Sequence, residues 1–220
     1  MRSLFVLVSL LSISSFISKA QTISASIPEK VDKNEKYIFY LHGGIVQDQG
    51  ANAVSPYYGA YEYYHILDTL SNHGFNIISE VRPKDTKEEQ YARKVSEQID
   101  TLLNYEVPSD NITVVGASLG AYITIEIAAI RKSDKLRYAI LGLCSEYALD
   151  YFSKYKNHLC GDFLSIYEKT DQKGSCMDIL IQHPCKSGIK EIRLNMGTGH
   201  GFLYKPYPEW VHPLIDWINE

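Results

Sequence analysis

The chain is 220 residues long, with 45% hydrophobic and 22% charged residues, which is ordinary for a globular protein. This composition excludes a disordered chain, a collagen-like chain and a membrane protein with many spans, and the length fits one domain. The 22 Lys and Arg residues are outnumbered by 26 Asp and Glu residues. With no basic surplus to neutralise phosphates, we expect no nucleic-acid partner.

The first twenty residues have the layout of a secretory signal peptide. Arg2 gives a positive start, the stretch 4–17 is apolar apart from serines, and small residues precede Gln21. The apolar stretch is shorter than the roughly 20 residues that a membrane-spanning helix needs. We expect 1–20 to be removed and 21–220 to be a secreted or periplasmic domain without a membrane anchor. An uncleaved signal anchor is the alternative.

Six short apolar runs in the remaining chain predict β-strands. Most are continuously apolar, which is typical of strands buried on both faces of a parallel sheet. The runs are 37–41, 76–81, 112–116, 138–143, 163–167 and 192–195, with 22–27 as a further edge strand.

Helical patterns separate these runs. Ser55 followed by Pro56 is predicted to start a helix, and Thr86 with Glu89 forms a predicted capping box ahead of a charged helix that ends near residue 103. Further helices are predicted at 119–130, 150–157, 176–182 and 213–219. Strands that alternate with helices predict one α/β domain with a mostly parallel sheet.

A Gly-x-Ser-x-Gly pattern occupies 116–120, between a predicted strand and an apolar helix. The two glycines permit a sharp turn that exposes the hydroxyl of Ser118 as a nucleophile. The same turn directs the backbone N–H of Leu119 at a developing oxyanion. A glycine-rich turn that holds an inert serine is the alternative.

Two other strand ends carry residues that complement this serine. A buried strand ends in His-Gly-Gly at 42–44, which supplies flexible backbone N–H groups, and His42 is expected to orient that loop. His200 lies between glycines after the last predicted strand. Its imidazole can accept the proton of Ser118, because a serine hydroxyl is a poor nucleophile alone.

The third component is an acid. Asp171 follows the strand predicted at 163–167, where a carboxylate can orient the imidazole of His200 and stabilise its charged form. Glu146, just after the strand predicted at 138–143, is the alternative acid. A helix-capping role for Asp171 is the non-catalytic interpretation.

The order of these elements resembles the α/β-hydrolase family over nearly the whole mature chain. The resemblance depends on the motifs at 42–44 and 116–120 and on the order Ser118, Asp171, His200. It implies a single-domain α/β-hydrolase fold with helices on both faces of the sheet.

The same resemblance implies roles for the site residues. Ser118 would be the nucleophile, His200 the general base and then acid, and Asp171 its orienting partner. The oxyanion hole would be the backbone N–H of Leu119 with that of Gly44 or Ile45. Because only 144–162 could form a cap, the cap is expected to be minimal and the site open.

We therefore expect a serine hydrolase that cleaves a small-molecule ester through an acyl-enzyme. A peptidase, thioesterase or acyltransferase with the same residues is the second hypothesis, and a non-catalytic binding protein on this fold is the third. No metal-binding motif is present, and a serine triad needs no cofactor. Tyrosines between 57 and 64 either line a substrate pocket or pack one helix on the sheet.

Four cysteines remain after the signal peptide. They lie in one stretch, and an exported protein can oxidise them. They are Cys144, Cys160, Cys176 and Cys185, which could pair in three ways. The sequence does not choose among the pairings, and it leaves the oligomeric state open.

Overall fold

The computed structural model describes residues 21–133, 135–155, 157–182, 185 and 188–220. The predicted signal peptide lies outside the described residues. The strands are β1 (Ile23–Ser24), β2 (Tyr37–Leu41), β3 (Val54–Ser55), β4 (Gly59–Ala60), β5 (Asn76–Ile78), β6 (Ile112–Ala117), β7 (Arg137–Leu141), β8 (Asp162–Glu168) and β9 (Ile189–Leu194). The helices are α1 (Gly44–Gln49), α2 (Tyr63–Asn72), α3 (Glu88–Asn104), α4 (Leu119–Arg131), α5 (Glu146–Phe152), α6 (Met177–Leu180) and α7 (Pro208–Asn219).

The strands form a seven-stranded sheet in the order β1-β5-β2-β6-β7-β8-β9, and every neighbouring pair is parallel. In this register Leu41 of β2 lies beside Gly116 of β6, and Ala117 of β6 lies beside Leu141 of β7. The predicted sheet is confirmed. The His-Gly-Gly loop and the residues after β6 therefore leave the sheet at the same edge.

Alternate residues of the central strands enter two separate apolar cores. Phe39 and Val114 belong to the core that contains α3 and α4. Tyr40 and Val115 belong to the core that contains α2 and α7. Helices thus cover both faces of the sheet, as expected from strands without polar alternation.

The two glycines of the 116–120 pattern allow the backbone to pack closely. A Cβ atom at Gly120 would lie 1.8 Å from the carbonyl oxygen of Leu41, and one at Gly116 would lie 2.3 Å from the carbonyl oxygen of Gly120. Helix α4 can therefore approach β2 and β6 only because both positions lack a side chain.

Two predicted helix starts were wrong. Ser55 lies in β3, and its hydroxyl accepts the backbone N–H groups of Tyr57 and Tyr58, so it closes a turn while the helix begins later, at Tyr63. The hydroxyl of Thr86 donates to the carbonyl of Pro83, so no capping box forms, and α3 begins at Glu88.

Two shorter helices also differ from their predicted bounds. The helix predicted at 150–157 begins earlier, as α5, and continues as one 3₁₀ turn over Ser153–Tyr155, while Lys156 lies outside the described residues. The helix predicted at 213–219 begins at Pro208, because Pro213 is accepted inside α7. Buried Trp210, on the preceding turn, packs into the core and outweighs the missing N–H of that proline.

The cysteines pair as Cys144 with Cys176 and Cys160 with Cys185, with Cα atoms 5.3 and 5.2 Å apart. The first disulfide joins the segment after β7 to the segment after β8. In the part of the chain that the structure describes, no helix combines the length and apolar character needed to span a membrane.

Candidate active site

Ser118 lies in the turn between β6 and α4. Its backbone φ is +53° and its ψ is −111°, a strained combination for a residue with a side chain. Its N–H donates to the carbonyl of Leu141 at 2.9 Å, which fixes the turn to the neighbouring strand. The sharp strand-to-helix turn predicted from the glycine spacing is therefore present.

His200 connects Ser118 to Asp171. Nε2 of His200 lies 2.9 Å from Oγ of Ser118, and Nδ1 lies 2.6 Å from Oδ2 of Asp171. The Asp171 side chain is 5% exposed and that of His200 is 20% exposed. The three residues, from the ends of three strands, form one chain of hydrogen bonds, in which Ser118 and His200 are partly exposed.

The other candidate acid is placed elsewhere. Glu146 is exposed in the first turn of α5, and the hydrogen bond to His200 comes from Asp171. Asp171 caps no helix: its second oxygen accepts the backbone N–H of Lys173 at 3.2 Å, which fixes the carboxylate in its own loop.

Glu168, at the end of β8, was not recognised from the sequence. It is fully buried, and Oε1 accepts the backbone N–H groups of Met196 and Gly197, each at 3.0 Å. Oε2 accepts the N–H of Thr170 at 2.6 Å and also its hydroxyl. Burial acts to raise the pKa of Glu168, but these hydrogen bonds outweigh it and lower the pKa to about 2. One carboxylate thus joins the loop of Asp171 to the loop of His200.

Thr170 extends this connection. Its hydroxyl oxygen accepts the backbone N–H of Gly199, at 3.1 Å, one residue before His200. The only sequence signal for this arrangement was an ionisable residue, Glu168, that continues a buried apolar strand. Such a residue must be satisfied by hydrogen bonds when it is buried.

The His-Gly-Gly loop forms the start of helix α1. Gly43 is its N-cap and Gly44 its first residue, so the N–H groups of Gly44 and Ile45 have no acceptor within the helix. A Cβ atom at Gly44 would lie 3.5 Å from Cδ2 of Leu119. Gly44 and Ile45, the predicted sources of one oxyanion donor, line a small cavity together with Ser118.

His42 is a structural residue, as expected. It is fully buried, its Nδ1–H donates to the carbonyl of Gly43 at 2.9 Å, and its Nε2 accepts the backbone N–H of Arg82 at 2.9 Å. Burial, and then the charge of Arg82, lower the pKa of His42 to about 3. A neutral imidazole therefore holds the loop.

Arg82 is a second residue that the sequence did not reveal. It is 1% exposed, its Nη2 donates to the carbonyl of His42, and its Nε donates to the side chain of Gln47 on α1 at 2.9 Å. Its guanidinium also lies over the ring of Tyr91, 5.5 Å from the centroid. These contacts fix both ends of the loop that carries Gly44.

Two cavities meet at Ser118. The smaller, of about 50 Å³, is lined by Gly44, Tyr61, His200 and Leu203, among others. The larger, of about 300 Å³, extends from Ser118 along Leu119 and α5. A cavity of about 490 Å³ lies at the opposite edge of the sheet, at the amino ends of β7 and β8, away from the hydrogen-bonded chain. The carboxyl ends of parallel strands are where α/β proteins bind ligands, so the first two cavities are the relevant ones.

The tyrosines between 57 and 64 divide between the two expected roles. Tyr61 lines the small cavity, and Tyr63 is buried with its hydroxyl 2.8 Å from that of Ser79. Tyr58 packs on Gly201, where a Cβ atom would lie 2.8 Å from its ring. Tyr57 and Tyr64 are exposed.

Comparison with known proteins gave matches at the level of structure. No protein-family model matches the sequence, and no curated protein sequence matches it. An esterase from Pyrococcus furiosus is similar in structure, with a TM-score of 0.56, 15% identity, and coverage of 86% of this chain and 83% of that chain.

Other solved structures agree with this likeness. A candidate α/β-hydrolase of unknown function from Agrobacterium tumefaciens has a TM-score of 0.56 and 17% identity, with 86% of each chain covered. Est1E from Butyrivibrio proteoclasticus, solved with ferulic acid, has a TM-score of 0.56 and 10% identity, with 88% of this chain and 90% of that chain covered. At these identities the likeness concerns the fold. The single domain, its parallel sheet and its strand-to-helix turn at Ser118 together show that the chain has the α/β-hydrolase fold.

Proposed function

We propose that this protein is a serine hydrolase that cleaves a small carboxylic ester through an acyl-enzyme. Ser118 is the nucleophile, His200 the general base and then acid, and Asp171 its orienting partner. The single observation that carries the proposal is the continuous chain of hydrogen bonds from Asp171 through His200 to a strained Ser118.

The reaction begins when His200 accepts the hydroxyl proton of Ser118 as Oγ attacks the ester carbonyl. The oxyanion accepts hydrogen bonds from the backbone N–H of Leu119 and from that of Gly44 or Ile45. Each such donor contributes on the order of 3 kcal/mol to stabilising the transition state. Asp171 stabilises the imidazolium, which then protonates the leaving alcohol. A water molecule that His200 activates releases the acid in the same way.

Two further observations favour the hydrolysis of an ester. The solved structures of the same fold include an esterase and a monoacylglycerol lipase, the latter from Paleococcus ferrophilus. The site also opens to solvent through His200, which suits attack by water on the acyl-enzyme better than transfer to another acceptor.

Labelling with a fluorophosphonate tests the nucleophile. We expect mass spectrometry to locate the label on Ser118 of the mature protein, and we expect Ser118→Ala to abolish it and His200→Ala to reduce it strongly. The same preparations should be assayed with p-nitrophenyl acetate. If folded wild-type protein is neither labelled nor active on the ester, the third hypothesis, a non-catalytic binding protein, replaces this one.

We also propose that residues 1–20 are a signal peptide and that 21–220 is the mature secreted or periplasmic domain. Two disulfides among the described residues support this compartment, because they persist in oxidising environments. Mass spectrometry of the protein recovered outside the cytoplasm should find Gln21 at the amino terminus. An intact Met1 there would support the uncleaved anchor.

A further inference from the structure

The larger cavity at Ser118 combines an apolar wall with one cation. Leu119, Tyr122, Leu143 and Ala148 line it, with Ser118 at one end. Within the described parts of the chain, Lys173 is the one charged residue among those that line it. A volume of about 300 Å³ is at the lower limit for small-molecule sites, so it suits one small organic group.

The segment that carries Lys173 is fixed at both ends. The backbone N–H of Lys173 donates to Oδ1 of Asp171 at 3.2 Å, and the N–H of Gly174 donates to the carbonyl of Cys144 at 2.8 Å. The disulfide between Cys144 and Cys176 closes the same segment on the wall of the cavity. The backbone of Lys173 is therefore fixed beside the cavity and close to Asp171.

No ion pair joins Lys173 to a carboxylate among the described residues. Among the residues that the structure describes, the lysines that form ion pairs are Lys33, Lys94, Lys190 and Lys205. The nearest carboxylate along the chain, Asp171, is engaged by His200. A partly buried, unpaired cation on an apolar wall attracts an anion more strongly than an exposed lysine does, because it is less screened.

From this arrangement we infer that the substrate is an ester with an apolar body and an anionic group, such as a carboxylate, which Lys173 binds. The apolar body lies along Leu119, Tyr122 and Leu143, and the anion reaches Lys173 beside the triad. The inference rests on the proposed function of Ser118 and names the substrate class for that site. Lys173 is then a specificity-determining residue and takes no part in proton transfer.

Two matched ester pairs test this inference and locate the anion. In the first pair the acyl part differs: monomethyl glutarate is compared with methyl pentanoate. In the second the alcohol part differs: 4-acetoxybenzoate is compared with 4-methylphenyl acetate. We expect wild-type kcat/KM to favour the anionic member of one pair by about tenfold, the effect of one charge-assisted hydrogen bond. The preference should decrease as ionic strength rises.

Lys173→Met is expected to remove the preference, measured as the ratio of kcat/KM between the anionic and the neutral member of the pair. The backbone N–H that binds Asp171 is retained in this variant. Lys169→Met is the matched control: it removes the same charge from an exposed position of the same loop, outside the lining of the cavity. It should keep the preference.

The outcomes separate this inference from the proposed function. Hydrolysis of neutral esters by wild-type protein, but not by Ser118→Ala, supports the function alone. An equal rate for both members of both pairs, or a preference that persists in Lys173→Met, overturns the inference. Calorimetric titration of the four esters into Ser118→Ala provides a test by binding, in which tighter binding of an anionic ester must depend on Lys173.

Discussion

The carboxylate of Glu168 accepts the backbone N–H of Gly197 at 3.0 Å, and this contact joins two loops whose side chains must meet. Asp171 lies in one loop and His200 in the other. The 2.6 Å separation between their side chains therefore depends on a third residue that touches neither imidazole nor serine.

Replacement of Glu168 by Gln tests this dependence. An amide has one oxygen, so either the pair of donors at Thr170 or the pair at Met196 and Gly197 loses its acceptor. We expect kcat/KM to fall on the order of 10–100-fold through misplacement of His200, and the free energy of unfolding to fall by about 2 kcal/mol. Steady-state kinetics and urea unfolding measure the two effects.

Glu146→Gln is the control for that variant, because Glu146 is exposed in α5. It should leave both quantities unchanged. A large loss of kcat in Glu146→Gln would instead point to Glu146 as the acid of the site.

Asp171→Asn is expected to lower kcat by about 10³–10⁴-fold while the protein stays folded. The amide no longer stabilises the imidazolium and favours the wrong tautomer of His200. Circular dichroism checks the fold, and ester hydrolysis measures kcat. Activity within threefold of wild type would remove Asp171 from the mechanism.

Acid is expected to destabilise the fold through His42. Its pKa is lowered from 6.5 to about 3, so between these pH values the unfolded chain binds a proton that the folded chain does not. The stabilisation is complete above pH 6.5 and is lost as the pH falls towards 3, by about 2 kcal/mol between about pH 7.5 and 5. Urea unfolding at those pH values measures the loss.

His42→Gln should be less stable than wild type at neutral pH and should lack this part of the pH dependence. His65→Gln, which changes an exposed histidine, should keep the wild-type dependence. The same slope in His42→Gln as in wild type would show that other groups cause the acid sensitivity.

The two disulfides are expected to differ in their effect on activity. Replacing both Cys144 and Cys176 by serine removes a disulfide between positions 32 residues apart in the sequence. This change should lower the free energy of unfolding by about 3 kcal/mol. It should also lower kcat/KM, because that link fixes the segment beside Asp171. Replacement of both Cys160 and Cys185, with separation 25, should lower stability similarly but leave kcat/KM unchanged.

Gly120→Ala should prevent stable folding, because its Cβ would lie 1.8 Å from the carbonyl of Leu41 and the backbone cannot yield. Gly174→Ala is the comparison, since a Cβ there would meet its nearest atom at 3.9 Å. We expect soluble yield and melting temperature to be near wild type only for the second variant. A stable Gly120→Ala protein would mean that α4 can move away from β2.

The sequence predicted the parts of this molecule that local chemistry determines. Continuous apolar runs indicated the buried strands. The 116–120 pattern contains glycines because such a turn requires close packing of the backbone. Ser118, Asp171 and His200 could be placed at strand ends because parallel strands share one carboxyl edge.

The features that the sequence did not predict depend on contacts that a residue type alone does not reveal. Ser55 had the residue type of a helix cap, but its hydroxyl closes a turn at Tyr57. Pro213 had the residue type of a helix start, yet packing of Trp210 extends α7 before it. Glu168 could not be recognised because its donors, Met196 and Gly197, come from a loop 28 and 29 residues further along the chain.

The separation in sequence between the reacting groups has a consequence for when catalytic activity appears during folding. Ser118 and His200 are separated by 82 residues, and His200 follows β9, which is the last strand along the chain and lies at an edge of the sheet. A chain that has assembled only its central strands would already possess the serine turn but no base. Recovery of catalysis during refolding should therefore lag behind recovery of secondary structure, and turnover reports completion of the whole domain.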